Sequence, residues 1–229
     1  MKKFAAMLLV LAMVLSFAGC AMSHDKYMEA AMDSKVTVKT YVQATQSWWD
    51  NKITVYCQSK DGAYFVYEMA CSEADAAKLV PGTAITVTGT KGEWSGEIEI
   101  MDPTFEFGKE NDTYIAEALD VTALLGKDEL IDHQNEKVLF KGMTVEKVEY
   151  KNGEPGDDIY VTVSYEGVSY SFCVERYLTG PETDVYKAFV DGDVKVGDVV
   201  NVYGFVYWYD ADEDGESGDG INTHIIQIT

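Results

Sequence analysis

From residue 36 onward, apolar and polar positions alternate in short runs broken by glycine- and acid-rich turns. Val36 and Val38 with Tyr41-Val42, then Ile53, Val55 and Cys57, then Ala63 to Met69 after Lys60-Asp61-Gly62, carry the period of two expected of half-buried strands. Ser72-Glu73-Ala74-Asp75 reads as a capping box that opens a short helix to about Leu79. There the Ser oxygen accepts a backbone N–H and the carboxylate returns to the cap. Pro81-Gly82 turns the chain, and Ile85 to Gly89 and Glu97 to Met101 supply two more strands. The same order recurs in Val138 to Val145, Ile159 to Tyr165 and Tyr170 to Val174, a helical stretch near Glu182 to Phe189, Gly197 to Gly204, and Ile225 to Ile228. A Gly-x-x-Ile/Val-x-Val-x-Gly pattern stands at Gly82 to Gly89 and again at Gly197 to Gly204. A repeated unit of this kind governs the whole fold assignment.

Three strands, a helix and two strands is the order of the OB-fold, a Greek-key barrel. On this order and the two glycine motifs the chain resembles tandem bacterial OB-like modules in lipoproteins, over residues 35–107 and 137–229. The expected fold class is therefore mainly β: two tandem five-stranded OB-like barrels, each with a short helix between its third and fourth strands. A different small β-sandwich is the competing arrangement. Residues 20–34 read as a tether. Residues 108–136 carry Ile115, Leu119, Leu124, Leu125, Leu130 and Ile131, too apolar for a flexible linker, and predict a partly helical connector docked between the modules.

The chain opens with Lys2-Lys3 and an apolar run of 12 residues, Phe4 to Leu15, too short to span a bilayer and suited to the core of a signal peptide. Ala18-Gly19-Cys20 follows and resembles the end of a lipobox, with Phe17 where that family usually has Leu. The resemblance implies a signal peptide over residues 1–19, cleavage before Cys20, a diacylglycerol on its sulfur and an acyl chain such as palmitate on its new amine. Ordinary secretory cleavage after Ala18 is the alternative, because Ser16-Phe17-Ala18 is a small-x-small site. More than one acyl chain anchors stably. The implied location is extracytoplasmic, on the cell membrane. With Cys20 lipidated, Cys57, Cys71 and Cys173 remain and read as three buried apolar thiols.

Composition alters this picture through charge. The 229 residues hold 18 Lys+Arg against 39 Asp+Glu, a formal charge of −21. That balance argues against a nucleic-acid partner, since phosphate binding needs a basic face. The most specific local motif is Asp210, Asp212 and Asp214 with Gly215, the first half of a calcium loop, with Glu216 or Asp219 to complete the shell. Ile221 stands where an EF-hand needs a bidentate Glu, so an EF-hand is rejected. A lone calcium loop and a solvated hairpin tip both remain. The tryptophans form the second signal: Trp48 and Trp49 between the first two strands, Trp94 between the last two, and Tyr207-Trp208 at the matching loop of the second module. In OB-folds those loops frame the ligand face, where exposed rings can stack on sugar rings, bases or peptide side chains. The opposing reading is that these rings cap the barrel cores. His24, His133 and His224 suggest no shared metal, and Glu68, Glu97 and Glu99 read as the polar face of strands. No catalytic motif is present, so the expected function is a non-catalytic binding module for a glycan, a peptide or an envelope protein. The alternative is a structural component of a cell-surface assembly.

Overall fold

The computed structural model describes residues 20–210 and 222–229. After α1 (His24–Glu29), the first half forms β1 (Lys35–Thr45), β2 (Lys52–Ser59), β3 (Gly62–Ala70), α2 (Glu73–Ala76), β4 (Ala84–Trp94) and β5 (Glu97–Phe107). The strands close a barrel in the order β1-β2-β3-β5-β4, with β4 returning to β1. All pairings are antiparallel except β3 with β5. Val36, Val38, Val55, Val66, Val87 and Ile100 point inward and fill the core, as the period-two pattern requires.

The second half repeats the plan. After the two-residue β6 (Leu119–Asp120) come β7 (Lys137–Tyr150), β8 (Ile159–Tyr165), β9 (Val168–Val174), α3 (Asp184–Val190), β10 (Val199–Phe205) and β11 (His224–Ile228). The sheet runs β10-β11-β9-β8-β7-β6, and a further β10–β7 pairing closes five of these strands into a circuit. The single parallel contact of that circuit is again third strand to fifth, β9 to β11. The two halves are thus the same barrel twice, and the tandem OB-like expectation holds. Ser72 caps α2 as the capping box predicts, its Oγ accepting the Asp75 N–H at 3.2 Å, though the helix ends at Ala76 and not near Leu79; α3 is capped by Thr183, whose Oγ1 accepts the Tyr186 N–H at 3.3 Å.

The glycine motif has a geometric cause at both ends. Gly82 and Gly197 hold φ of 93° and 95°, a turn conformation that side chains resist. Gly89 and Gly204 lie where the last strand crosses the fourth, and the ladder breaks register at each. A Cβ on Gly89 would stand 2.6 Å from Ile100 Cγ2, and one on Gly204 2.5 Å from the His224 carbonyl.

Residues 20–34 depart from the expected tether. Met22 pairs with Val38 of β1, and Tyr27 of α1 is buried in the first core. Lys91 Nζ donates to the carbonyls of Met28 at 2.6 Å and Ala30 at 2.9 Å, which fastens the far end of α1. Burying one tyrosine and satisfying two carbonyls holds the segment on the barrel. Residues 108–136 hold short 3-10 turns at Thr122–Leu124 and Asp128–His133, with Val121, Leu125 and Leu130 inside the second core. Cys57, Cys71 and Cys173 are free and buried.

Gly204→Ala should destabilise the protein by about 1–3 kcal/mol in urea titration, because neither the His224 backbone nor the strand crossing can yield to a methyl group. A loss below about 0.5 kcal/mol would show that the crossing is not tightly packed.

Candidate functional site

The barrels meet through the outer faces of their strands. In β3 and β5, Val66 and Ile100 point into the first core, which turns Phe65, Tyr67, Glu97 and Glu99 outward. In β8 and β9, Val161 and Phe172 take the second core and turn Tyr160, Ser171 and Cys173 outward. A third, small core of Tyr56, Phe65 and Phe205 joins the two bodies. Tyr56 stacks on Phe205 with ring centroids 4.7 Å apart, and its hydroxyl lies 2.6 Å from His224 Nδ1. Gln46 Nε2 donates to that hydroxyl at 3.4 Å, so the Tyr56 oxygen is engaged from both barrels. Burial pushes the His224 pKa down to about 3, so the ring is neutral.

Glu97 ties the same seam. It is 0% exposed, and its Oε2 accepts the Trp208 N–H at 2.7 Å. Burial pushes its carboxyl well above the ordinary carboxylate range, opposed by the Trp208 N–H and the Asn135 side chain. The connector adds Gln134, whose Oε1 accepts the Ile98 N–H at 3.1 Å while its Nε2 donates to the Gly96 carbonyl at 2.9 Å.

Beside the seam a cleft of about 750 Å³ opens between the outer faces. Phe65, Tyr67 and Glu99 line one wall, Tyr160, Cys173 and Glu175 the other, and Trp94, Tyr207 and Tyr209 close in from the strand ends. The Trp94 and Tyr209 rings lie 5.3 Å apart, and Tyr207 stacks on His224 at 4.2 Å. Glu99 is 6% exposed, and burial, then the neighbouring Glu68 charge, push its carboxyl up to about 7. Glu175 is pushed up by burial and held partly down by the Tyr177 and Leu178 N–H groups, at 3.1 and 2.8 Å. The cleft's lysine, Lys151, is committed to Asp158 at 2.8 Å. Burial also pushes the Cys173 thiol up, so it is not a thiolate at neutral pH.

The predicted aromatic face divides. Trp94, 53% exposed, and Tyr207 line the cleft. Trp48 packs on the first core and donates its Nε1–H to the Cys71 carbonyl at 2.9 Å, so it is a cap and not a ligand contact. Trp49 is 79% exposed in the β1–β2 turn and does not line the cleft. Trp208 is buried in the second core. Alternation explains the last correction, since adjacent residues face opposite ways and Tyr207 takes the outward direction. Cys20 is exposed, whereas Ala18 and Gly19 lie outside the described residues. Of the proposed calcium ligands, Asp210 is buried with its N–H donated to the Ser95 carbonyl at 2.8 Å, and Asp212, Asp214, Glu216 and Asp219 lie outside the described residues. Among the described residues no group of three or more His, Cys, Asp or Glu is arranged to hold a metal ion. Sequence reasoning missed Tyr56, Glu97, Glu99, Glu175 and His224. For Tyr56, Glu97, Glu99 and His224 the one signal is outward parity within a strand; Glu175 follows the end of β9 and has none.

No protein-family model matches the chain, and no curated protein matches it. Among solved structures it is similar to a murine DNA-binding protein bound with double-stranded DNA, at 11% identity over 82% of this chain and 90% of that one, with a TM-score of 0.40. It is also similar to the Ifi202 HINa domain in complex with 20-bp double-stranded DNA, at 13% identity over 87% and 97%, with a TM-score of 0.37. A third is p202 HIN1 in complex with 12-mer double-stranded DNA, at 12% identity over 92% and 93%, with a TM-score of 0.35. The exclusion of nucleic acid drawn from charge balance is withdrawn: these similar structures are described as complexes with double-stranded DNA. The likeness concerns the fold and assigns no ligand to this chain.

The neutral His224 makes the seam sensitive to acid. Unfolded, the ring takes its proton near pH 6.5; folded, it resists to about pH 3. The unfolded chain binds more protons in that window, so stability falls by about 1.4 kcal/mol per pH unit below 6.5. Between about pH 7.5 and 5.5, the wild type should lose about 1.4 kcal/mol more than His224→Gln in urea titration. Equal losses would mean the imidazole titrates freely.

Proposed function

We propose that the protein is a non-catalytic binding protein, anchored by lipid at Cys20 on the outer side of a cell membrane, whose ligand seats between its two barrels. The observation that carries this reading is the convergence of Trp94, Tyr207 and Tyr209 on a cleft of about 750 Å³ with a buried carboxylate, Glu99, in its wall. That volume lies within the range of small-ligand sites, roughly 300–1,000 Å³, and rings with a few placed polar groups are their usual lining.

The non-catalytic reading is supported by the state of the cleft's reactive groups. The Cys173 thiol stays protonated, and His224 Nδ1 already faces the Tyr56 hydroxyl. A nucleophile with an adjacent free base is what acyl-transfer chemistry would need. For location, the support is the lipobox-like Ala18-Gly19-Cys20 behind an apolar leader. No described helix is long and apolar enough to cross a membrane, so in this reading the lipid alone holds the protein there. Met22, two residues after the anchor, already pairs with β1, which keeps the barrels close to the bilayer.

Two measurements test this. The wild type should sediment with membranes and Cys20→Ser should be released; equal partition would remove the anchor. In a Trp49→Phe background, Trp94 fluorescence should respond saturably to at least one of a neutral oligosaccharide, a short peptide or an aliphatic amine. Tyr209→Ala should then weaken that binding about tenfold, the worth of one ring contact. Silence toward all three classes would contradict a ligand site in the cleft.

A further inference from the structure

We propose that the cleft binds a small aliphatic oligoamine, seating an ammonium group between Glu99 and Glu175 against the rings of Trp94 and Tyr207. This rests on the reading of the cleft as the ligand site and names the chemistry of its occupant.

Three observations converge. Glu99 lines the cleft, is about nine-tenths buried, and among the described residues receives no hydrogen bond or ion pair. A carboxylate so largely removed from water, with no protein partner, carries a desolvation cost that a cation in the cleft would offset. Second, the charges facing the cleft are uneven. Glu99, Glu149, Asp158 and Glu175 stand against Lys151; Asp158 takes Lys151 and Glu149 takes Lys147 at 2.8 Å, which leaves Glu99 and Glu175 without a cation. Third, the remaining lining is aromatic, and ring faces attract cations as carboxylates do. An ammonium group satisfies all three at once: it gives Glu99 its hydrogen bonds, offsets the excess charge and lies on the rings. Carboxylates on both walls favour more than one ammonium in the ligand, with the aliphatic stem against Phe65 and Tyr160.

Titration of Glu99 follows the same geometry. The groups around it are Glu68 and Tyr67 from β3, Glu97 on its own strand and Tyr207 beyond β10, with Glu149, Lys151, Asp158 and Glu175 on the facing wall. The cations among and beside them are already engaged, Lys151 by Asp158 at 2.8 Å and Lys52 by Glu68 at 2.6 Å. Burial, then the Glu68 charge, push its carboxyl up to about 7, so part of it carries a proton at neutral pH. An arriving ammonium expels that proton, so amine affinity rises with pH from 6 to 8.

The test is calorimetry on the full chain at about 150 mM salt, where loose attraction to an acidic surface is screened. The probes are spermidine, putrescine, a neutral diol of matching length, a tri-lysine peptide and a neutral oligosaccharide. Spermidine should bind with one-site stoichiometry, release protons to the buffer, and lose about tenfold in affinity in Glu99→Gln or Trp94→Ala. Glu73→Gln, an exposed acid on α2, should leave it unchanged. Glu99→Gln should melt no lower than the wild type, since it removes an unpaired buried charge, which separates lost binding from lost folding. Binding that is equal in Glu99→Gln and Glu73→Gln variants, or shared by the diol, would overturn the proposal. Tighter binding of tri-lysine than of spermidine would overturn the small amine in favour of a basic peptide. Binding of the oligosaccharide alone would refute the amine and leave the cleft as the ligand site. No response to any probe would refute both.

Discussion

The Tyr56 hydroxyl and the His224 imidazole are buried together at 2.6 Å, each supplied by a different barrel. Neither group has water to fall back on, so separating the barrels would strand one donor and one acceptor at about 1–3 kcal/mol each until solvent enters. Glu97 imposes the same condition through the Trp208 N–H, and the Tyr56–Phe205 stack adds apolar contact to the joint. These contacts tie the two bodies at a fixed orientation. A linker alone would leave them free to move, which is the ordinary expectation for tandem domains.

The cleft is a consequence of that fixed orientation. Its walls are outer faces of β3 and β5 on one side and β8 and β9 on the other, and neither barrel encloses it alone. Because the strands are held on both sides by their own cores, the rings and acids of the cleft are positioned before any ligand arrives. Preorganisation of this kind reduces the ordering that binding must supply. It also sustains a carboxylate such as Glu99 in an unfavourable place, since the cores around it exceed by far the stability its desolvation removes.

The barrels were legible in the sequence because their cause is local. Alternation at Val36 to Val42 or Ile159 to Tyr165 records which face of a strand is buried, and Gly82–Gly89 and Gly197–Gly204 record a turn and a crossing that admit no side chain. The site was less legible because its cause is not local. Glu97 and Glu99 occupy outward positions, and an outward acid looks the same in sequence whether water or a second barrel covers it. Trp94 and Tyr207 were picked out by loop position, but Trp48, Trp49 and Trp208 shared that position and went to a cap, to solvent and to a core. Tyr27 was read as tether because the barrel end that buries it is built by Lys91 and Tyr64, far along the chain. Charge summed over the chain proved equally blind to place: the exclusion of nucleic acid rested on a total, whereas binding depends on the charge of one face.

The central claim is that two barrels act as one rigid body around a shared cleft. Differential scanning calorimetry of the full chain tests it most directly. Barrels locked into one body should melt in one cooperative transition, with calorimetric and van't Hoff enthalpies in agreement, and should divide into two when Tyr56 and Glu97 are replaced by Phe and Gln. Two separate transitions in the unmodified protein would contradict it.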